Sequence, residues 1–133
     1  EKVLGINPKN RLAQYNIGIL YQNNQMYSEA QEAYHNLFDG TEDKIYADAK
    51  FNLGFIFMED LKDFKNAINY FADASRVNPN YYAAYYSMGR CYQSFGDVIN
   101  AEKYFRKSLE IYPEYAVANK SLKQLLLDNE KYK

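Results

Sequence analysis

Tyr85-Tyr86-Ser87-Met88-Gly89-Arg90-Cys91-Tyr92 carries a glycine in the middle of an apolar run, away from any turn signal. The same placement recurs in Leu53-Gly54 followed by Phe57, and in Ile17-Gly18 followed by Tyr21. Gly18 and Gly54 stand 36 residues apart, Gly54 and Gly89 35, and Pro79 and Pro113 34. Downstream of each glycine comes a second matching pair: Ala30 with Tyr34, Ala67 with Phe71, Ala101 with Phe105. A glycine inside a helix costs about 1 kcal/mol relative to alanine. Three in phase therefore imply a packing reason, namely close approach of two helices at Gly18, Ala30, Gly54, Ala67, Gly89 and Ala101.

Composition agrees with one helical domain. The chain has 133 residues, 47% hydrophobic and 25% charged, enough to bury a core. Aromatics reach 17%, but three prolines and six glycines are too few to punctuate many short strands. A net charge of -1 lacks the basic excess of nucleic-acid binders. The longest apolar runs, such as Leu53 to Met58, fall far short of the roughly twenty residues of a membrane span. Cys91 is the only cysteine, which excludes an internal disulfide and a multi-cysteine zinc site.

Self-similarity at this period resembles the tetratricopeptide repeat, a helix–turn–helix unit of about 34 residues. The third copy is the fullest, with Tyr85, Met88-Gly89, Tyr92, Gly96-Asp97, Ala101, Phe105 and Pro113. The second has Lys50 at the place of a large aromatic and one extra residue near Glu59 to Asp63. The first has Gln14 at that place, and Asp39-Gly40-Thr41-Glu42-Asp43 replaces its closing proline. The resemblance implies an all-α fold, an alpha-alpha superhelix of antiparallel helix pairs. Residues 11–44, 45–81 and 82–115 are read as three repeats. Residues 1–10 read as the end of a preceding repeat, so the chain is expected to be part of a longer array. Residues 116–133 read as a capping helix. Ser28 with Gln31 is expected to open a second helix as a capping box, Asp97 to cap another, and Gly40 to close a helix.

The first helix of each repeat is apolar on two sides. At 100° per residue, Ile17, Gly18 and Tyr21 lie about 130° from Leu12, Tyr15 and Ile19. In the second repeat Leu53, Gly54 and Phe57 oppose Phe51, Phe55 and Met58; in the third, Tyr86 is joined by Arg90. In the family that the chain resembles, this second face lines a concave groove for partner peptides. The expected groove is thus Leu12, Tyr15, Ile19, Phe51, Phe55, Met58 and Tyr86, rimmed by Asn16, Asn52 and Arg90. Asn52 is expected to be solvated in the free protein.

No string here matches a phosphate loop, dinucleotide fingerprint, zinc helix or nucleophile elbow. His35 has no Asp or Cys at a motif spacing, and Cys91 reads as a small buried thiol. The acidic loop at Asp39 to Asp43 lacks the alternating ligands of a calcium site. The expectation is a non-catalytic protein-interaction module with no cofactor or metal, whose partner is another protein or peptide and not nucleic acid. The alternative is self-association through Val3, Leu4 and Ile6 or through the groove itself.

Overall fold

The computed structural model describes residues 8–130, so the expectations for Glu1 to Ile6, including Val3, Leu4 and Ile6, lie outside the described residues. Those residues form α1 (Pro8–Asn23), α2 (Tyr27–His35), α3 (Lys44–Phe55), α4 (Phe64–Val77), α5 (Tyr82–Ser94), α6 (Val98–Ile111) and α7 (Ala116–Glu130). No strand occurs among the described residues. Consecutive helices pack as the pairs α1–α2, α3–α4 and α5–α6; α4 packs on α5, and α7 closes against α6. This is an all-α solenoid of antiparallel helix pairs.

The turn inside each pair follows from backbone chemistry. Gly96 adopts φ 76°, and Gln25 adopts φ 61° at the same place in the first pair. The next amide then reaches back to the helix: Asp97 N–H donates to the Tyr92 carbonyl at 3.0 Å, and Met26 N–H to the Tyr21 carbonyl at 2.8 Å. Such left-handed closures satisfy carbonyls that the helix end would leave unpaired. In the second pair α3 runs on into one π-helical turn, Ile56–Asp60. Leu61 N–H donates to the Ile56 carbonyl at 3.1 Å, and Asp63 N–H to the Phe57 carbonyl at 2.7 Å. The extra residue of the second repeat is absorbed in that wider turn without lengthening the loop.

Asp43, Asp63 and Asp97 cap α3, α4 and α6, accepting from the backbone N–H of Tyr46, Asn66 and Asn100. Two sequence expectations change here. Ser28 lies inside α2, whose N-cap is Met26 with no side-chain cap bond. The left-handed closure at Gln25 starts the helix too early for Ser28 to cap it. Gly40 is indeed left-handed, with φ 102°, but stands in the loop beyond His35 and closes no helix.

The in-phase glycines accept aromatic rings. A Cβ at Gly54 would lie 2.6 Å from the Phe71 ring, and one at Gly89 2.6 Å from the Phe105 ring; Gly18 meets Tyr34 in the same way. Ala30, Ala67 and Ala101 are fully buried in the same layers. The half-buried Tyr21, Phe57 and Tyr92 complete them, with Phe57 5.1 Å from Tyr70 and Tyr92 stacked 5.5 Å from Tyr104. The absent side chain thus makes room mainly for a ring of the second helix, and at Gly89 the Ala101 carbonyl also comes close, at 3.2 Å.

Candidate protein-interaction groove

Side chains from alternate helices join α1, α3, α5 and α7 into one wall. Asn52 Nδ2 on α3 donates to the Tyr15 hydroxyl on α1 at 3.1 Å. The Tyr81 hydroxyl, just before α5, donates to Asp48 on α3 at 2.8 Å. Tyr86 on α5 and Ser121 on α7 share a hydroxyl–hydroxyl bond at 3.3 Å.

Phe51 and Phe55 lie in the second half of α3, Tyr86 in the second turn of α5, and Tyr81 and Tyr115 just before α5 and α7. Phe51 stacks on Phe55 at 6.5 Å and on Tyr81 at 5.0 Å, and Tyr86 meets Tyr115 edge-on at 5.5 Å. Phe55 is 38% exposed and Leu12 51% exposed. Tyr15, Ile19, Phe51 and Tyr86 are half-buried, and Asn16 is exposed. Beyond these rings, toward the C-terminal end of α5, the wall turns polar. Arg90 pairs with Glu59 at 2.8 Å. A cleft of about 400 Å³ lies there, lined by Met58, Glu59, Lys62, Phe64, Arg90, Gln93 and Ser94. A second, of about 370 Å³, is lined by Tyr86, Gln93, Val117, Lys120, Ser121 and Gln124.

Two expected groove residues behave differently. Met58 is 2% exposed and packs with Ala67, Phe71, Ala84 and Met88, so it is core and reaches the first cleft only from beneath. It lies in the π-helical turn, which departs from the 100° step that assigned its face. Asn52 is half-buried, and its amide also donates to the Tyr34 hydroxyl at 3.2 Å. Tyr34 in turn donates to Gln22 at 2.7 Å, and burial pushes its hydroxyl up to about 12. Asn52 is therefore a structural clasp between the first two repeats and not a solvated side chain.

Several participants were not foreseen. Tyr81 and Tyr115 stand 34 residues apart, and that spacing was a usable signal. Arg11 had no local signal. It is 1% exposed and spends all five N–H donors on the loop after α2. Nε and Nη2 hold Asp43 at 3.0 and 2.9 Å, Nη1 holds the Leu37 carbonyl and Asp39 at 3.0 and 3.1 Å, and Nη2 reaches the Thr41 carbonyl at 3.3 Å. Lys50, at a place where an aromatic was expected, puts Nζ 4.2 Å over the Phe38 ring and 3.1 Å from Asp73. Cys91 is buried, and burial pushes its thiol up to about 12, away from nucleophile chemistry. His35 lies 5.3 Å edge-on to Phe38, and burial followed by the Lys50 charge lowers its pKa. No cluster of potential metal ligands occurs among the described residues. No described helix is long and apolar enough to cross a membrane.

No curated protein matches this chain. Among solved structures, MamA is 25% identical with a TM-score of 0.78, over 93% of this chain and 71% of that one. The first TPR of Spaghetti (RPAP3), bound to an HSP90 peptide, is 20% identical with a TM-score of 0.83, over 96% and 99%. The type III secretion chaperone SycD of Yersinia enterocolitica, in complex with a peptide of the translocator YopD, is 14% identical with a TM-score of 0.81, over 92% and 97%. Tetratricopeptide repeat profiles match residues 47–81 and 82–115, and a further one matches residues 12–39. With three repeats matched in phase and the glycine–ring layers in place, the chain belongs to the tetratricopeptide repeat family.

Proposed function

We propose that the chain is a non-catalytic protein-interaction module that holds a partner segment against the wall of α1, α3, α5 and α7. The observation that carries this reading is Phe55, a large ring 38% exposed on a fixed framework of Phe51 and Tyr81. Aromatic side chains with few rotatable bonds carry much of the binding energy at interfaces. Leu12, Tyr15, Ile19 and Tyr86 extend the apolar surface, with Asn16 and Arg90 at its rim. Asn52 acts behind it, by orienting the Tyr15 hydroxyl. Relatives at fold level include a Spaghetti domain bound to an HSP90 peptide and SycD bound to a YopD peptide, which accords with a segment-binding role. The test is capture with the whole chain, then titration of the captured partner. Phe55→Ala should weaken binding by about 2 kcal/mol and leave the melting temperature nearly unchanged. Unaltered affinity would sink the assignment.

Self-association is the second reading, favoured by the exposed apolar residues at the tips of the helix pairs. Ile99 is 82% exposed there, and Phe64 and Phe95 meet 6.2 Å apart. Light scattering at two concentrations distinguishes the readings: a concentration-dependent dimer favours self-association, and a constant monomer favours a different partner.

A further inference from the structure

We propose that the tyrosines at the last junction between repeats form a docking platform for a proline-rich segment held as a polyproline II helix. Tyr82 opens α5, Tyr112 follows α6 and Tyr115 precedes α7. The Tyr82 ring lies 4.9 Å from both Tyr112 and Tyr115, and Tyr112 stacks on Tyr115 at 5.7 Å. Tyr82 and Tyr112 remain 38% and 40% exposed. Stacking of the repeats does not itself require these rings. One repeat earlier, Ala47 and Asn78 stand at the places of Tyr82 and Tyr112, and only Tyr81 matches Tyr115. The Tyr81 hydroxyl is tied to Asp48, whereas those of Tyr82, Tyr112 and Tyr115 have no hydrogen-bond partner among the described residues.

The backbone beneath the rings is pinned. Ser108 Oγ donates to the Tyr82 carbonyl at 2.8 Å, and Tyr115 N–H donates to the Tyr112 carbonyl at 3.1 Å across Pro113. Asn119 Nδ2 holds the Pro113 and Tyr115 carbonyls at 2.9 and 3.3 Å. Rings on such a framework are presented at little cost in conformational entropy. Their faces, combined with free phenolic donors, select one backbone chemistry. A polyproline II helix has no internal hydrogen bonds, so its carbonyls are open to donors, and its pyrrolidine rings pack on aromatic faces. An α-helical segment spends its carbonyls on itself. An added strand needs a sheet edge, and the described residues contain no strand. No cation lies over these three rings among the described residues, which disfavours stacked bases with their phosphates.

The platform uses neither Phe51 nor Phe55, so its test is separate from that of the groove. Titration of the whole chain with a synthetic decaproline peptide, followed by tyrosine fluorescence, should show saturable binding that added salt hardly changes. Tyr82→Ala and Tyr112→Ala should each weaken it roughly tenfold or more. Tyr82→Phe and Tyr112→Phe keep the rings and should each weaken it about threefold, through the lost donors. Phe55→Ala should leave it unchanged. No binding at millimolar peptide, binding that both alanine variants retain, or binding unweakened in both phenylalanine variants would overturn the proposal. So would a preference for oligouridylate over decaproline, which marks a nucleic-acid platform. Loss of decaproline binding on Phe55→Ala would overturn it too, by returning the peptide to the groove.

Discussion

Gly89 illustrates how one missing methyl group organises a repeat. The Phe105 ring fills the space that a Cβ would occupy, 2.6 Å from its ideal position, and the Ala101 carbonyl lies 3.2 Å away. Gly89→Leu must displace a fully buried ring, so it should destabilise the protein by about 1–3 kcal/mol or more. A melt indistinguishable from wild type would show that the ring layer can shift freely. Asn52 makes the complementary case for a polar clasp. Asn52→Ala removes the donor shared by the Tyr15 and Tyr34 hydroxyls, leaving Tyr34 buried with one partner fewer. The expected cost is about 1–3 kcal/mol. Denaturant titration checks it, and a loss below about half a kcal/mol would place that amide in water.

At the scale of elements, connections carry as much information as helices. The π-helical turn keeps Asp63 in place to cap α4 despite the inserted residue. The longer connection after α2 is held by Arg11 and handed to α3 through Asp43, which caps α3 while accepting from the guanidinium. Arg11→Met leaves Asp39, Asp43 and two carbonyls without this donor, and should cost about 3 kcal/mol or more. Burial alone would raise the Asp43 pKa, but hydrogen bonds from Arg11 and the Tyr46 amide, with the Arg11 charge, hold it below the usual value. A carboxylate depressed in the folded state stabilises the protein above its unfolded pKa of about 3.9 and loses that contribution as pH falls through the folded value. The wild type should therefore lose stability on acidification below about pH 4. Asp43→Asn should be less stable at neutral pH and show a shallower acid decline. An equally steep decline in that variant would assign the acid response to other carboxylates.

On the scale of the whole molecule, the solenoid is a row of layers in which each helix pair covers the last. Ala101, Phe105 and Leu125 form the final layer, with Leu122 against it. Removing residues 116–133 should expose Phe105, lower solubility and promote association, since an uncovered repeat face is an unpaired apolar surface. The truncated chain should also lose the Tyr86–Ser121 link and the second cleft. A soluble, monomeric truncation with an unchanged melt would show that α7 is dispensable.

The helix pairs, their layers and the existence of a second apolar face were legible in the sequence. They rest on local periodicity: a glycine, an alanine and a ring returning every 34–37 residues can be read from spacing alone. Asp97 as a cap was legible for the same reason, since its bond to Asn100 spans three residues. Tertiary structure decided the rest. Arg11 finds its partners 26 to 32 residues away, and Asn52 and Tyr15 meet across 37. Met58 changed sides because a π-helical turn alters the angular step that assigned its face. A one-dimensional pattern tells which residues share a helix face. What covers that face depends on the free energy of burying and pairing groups that only the stacked helices bring together.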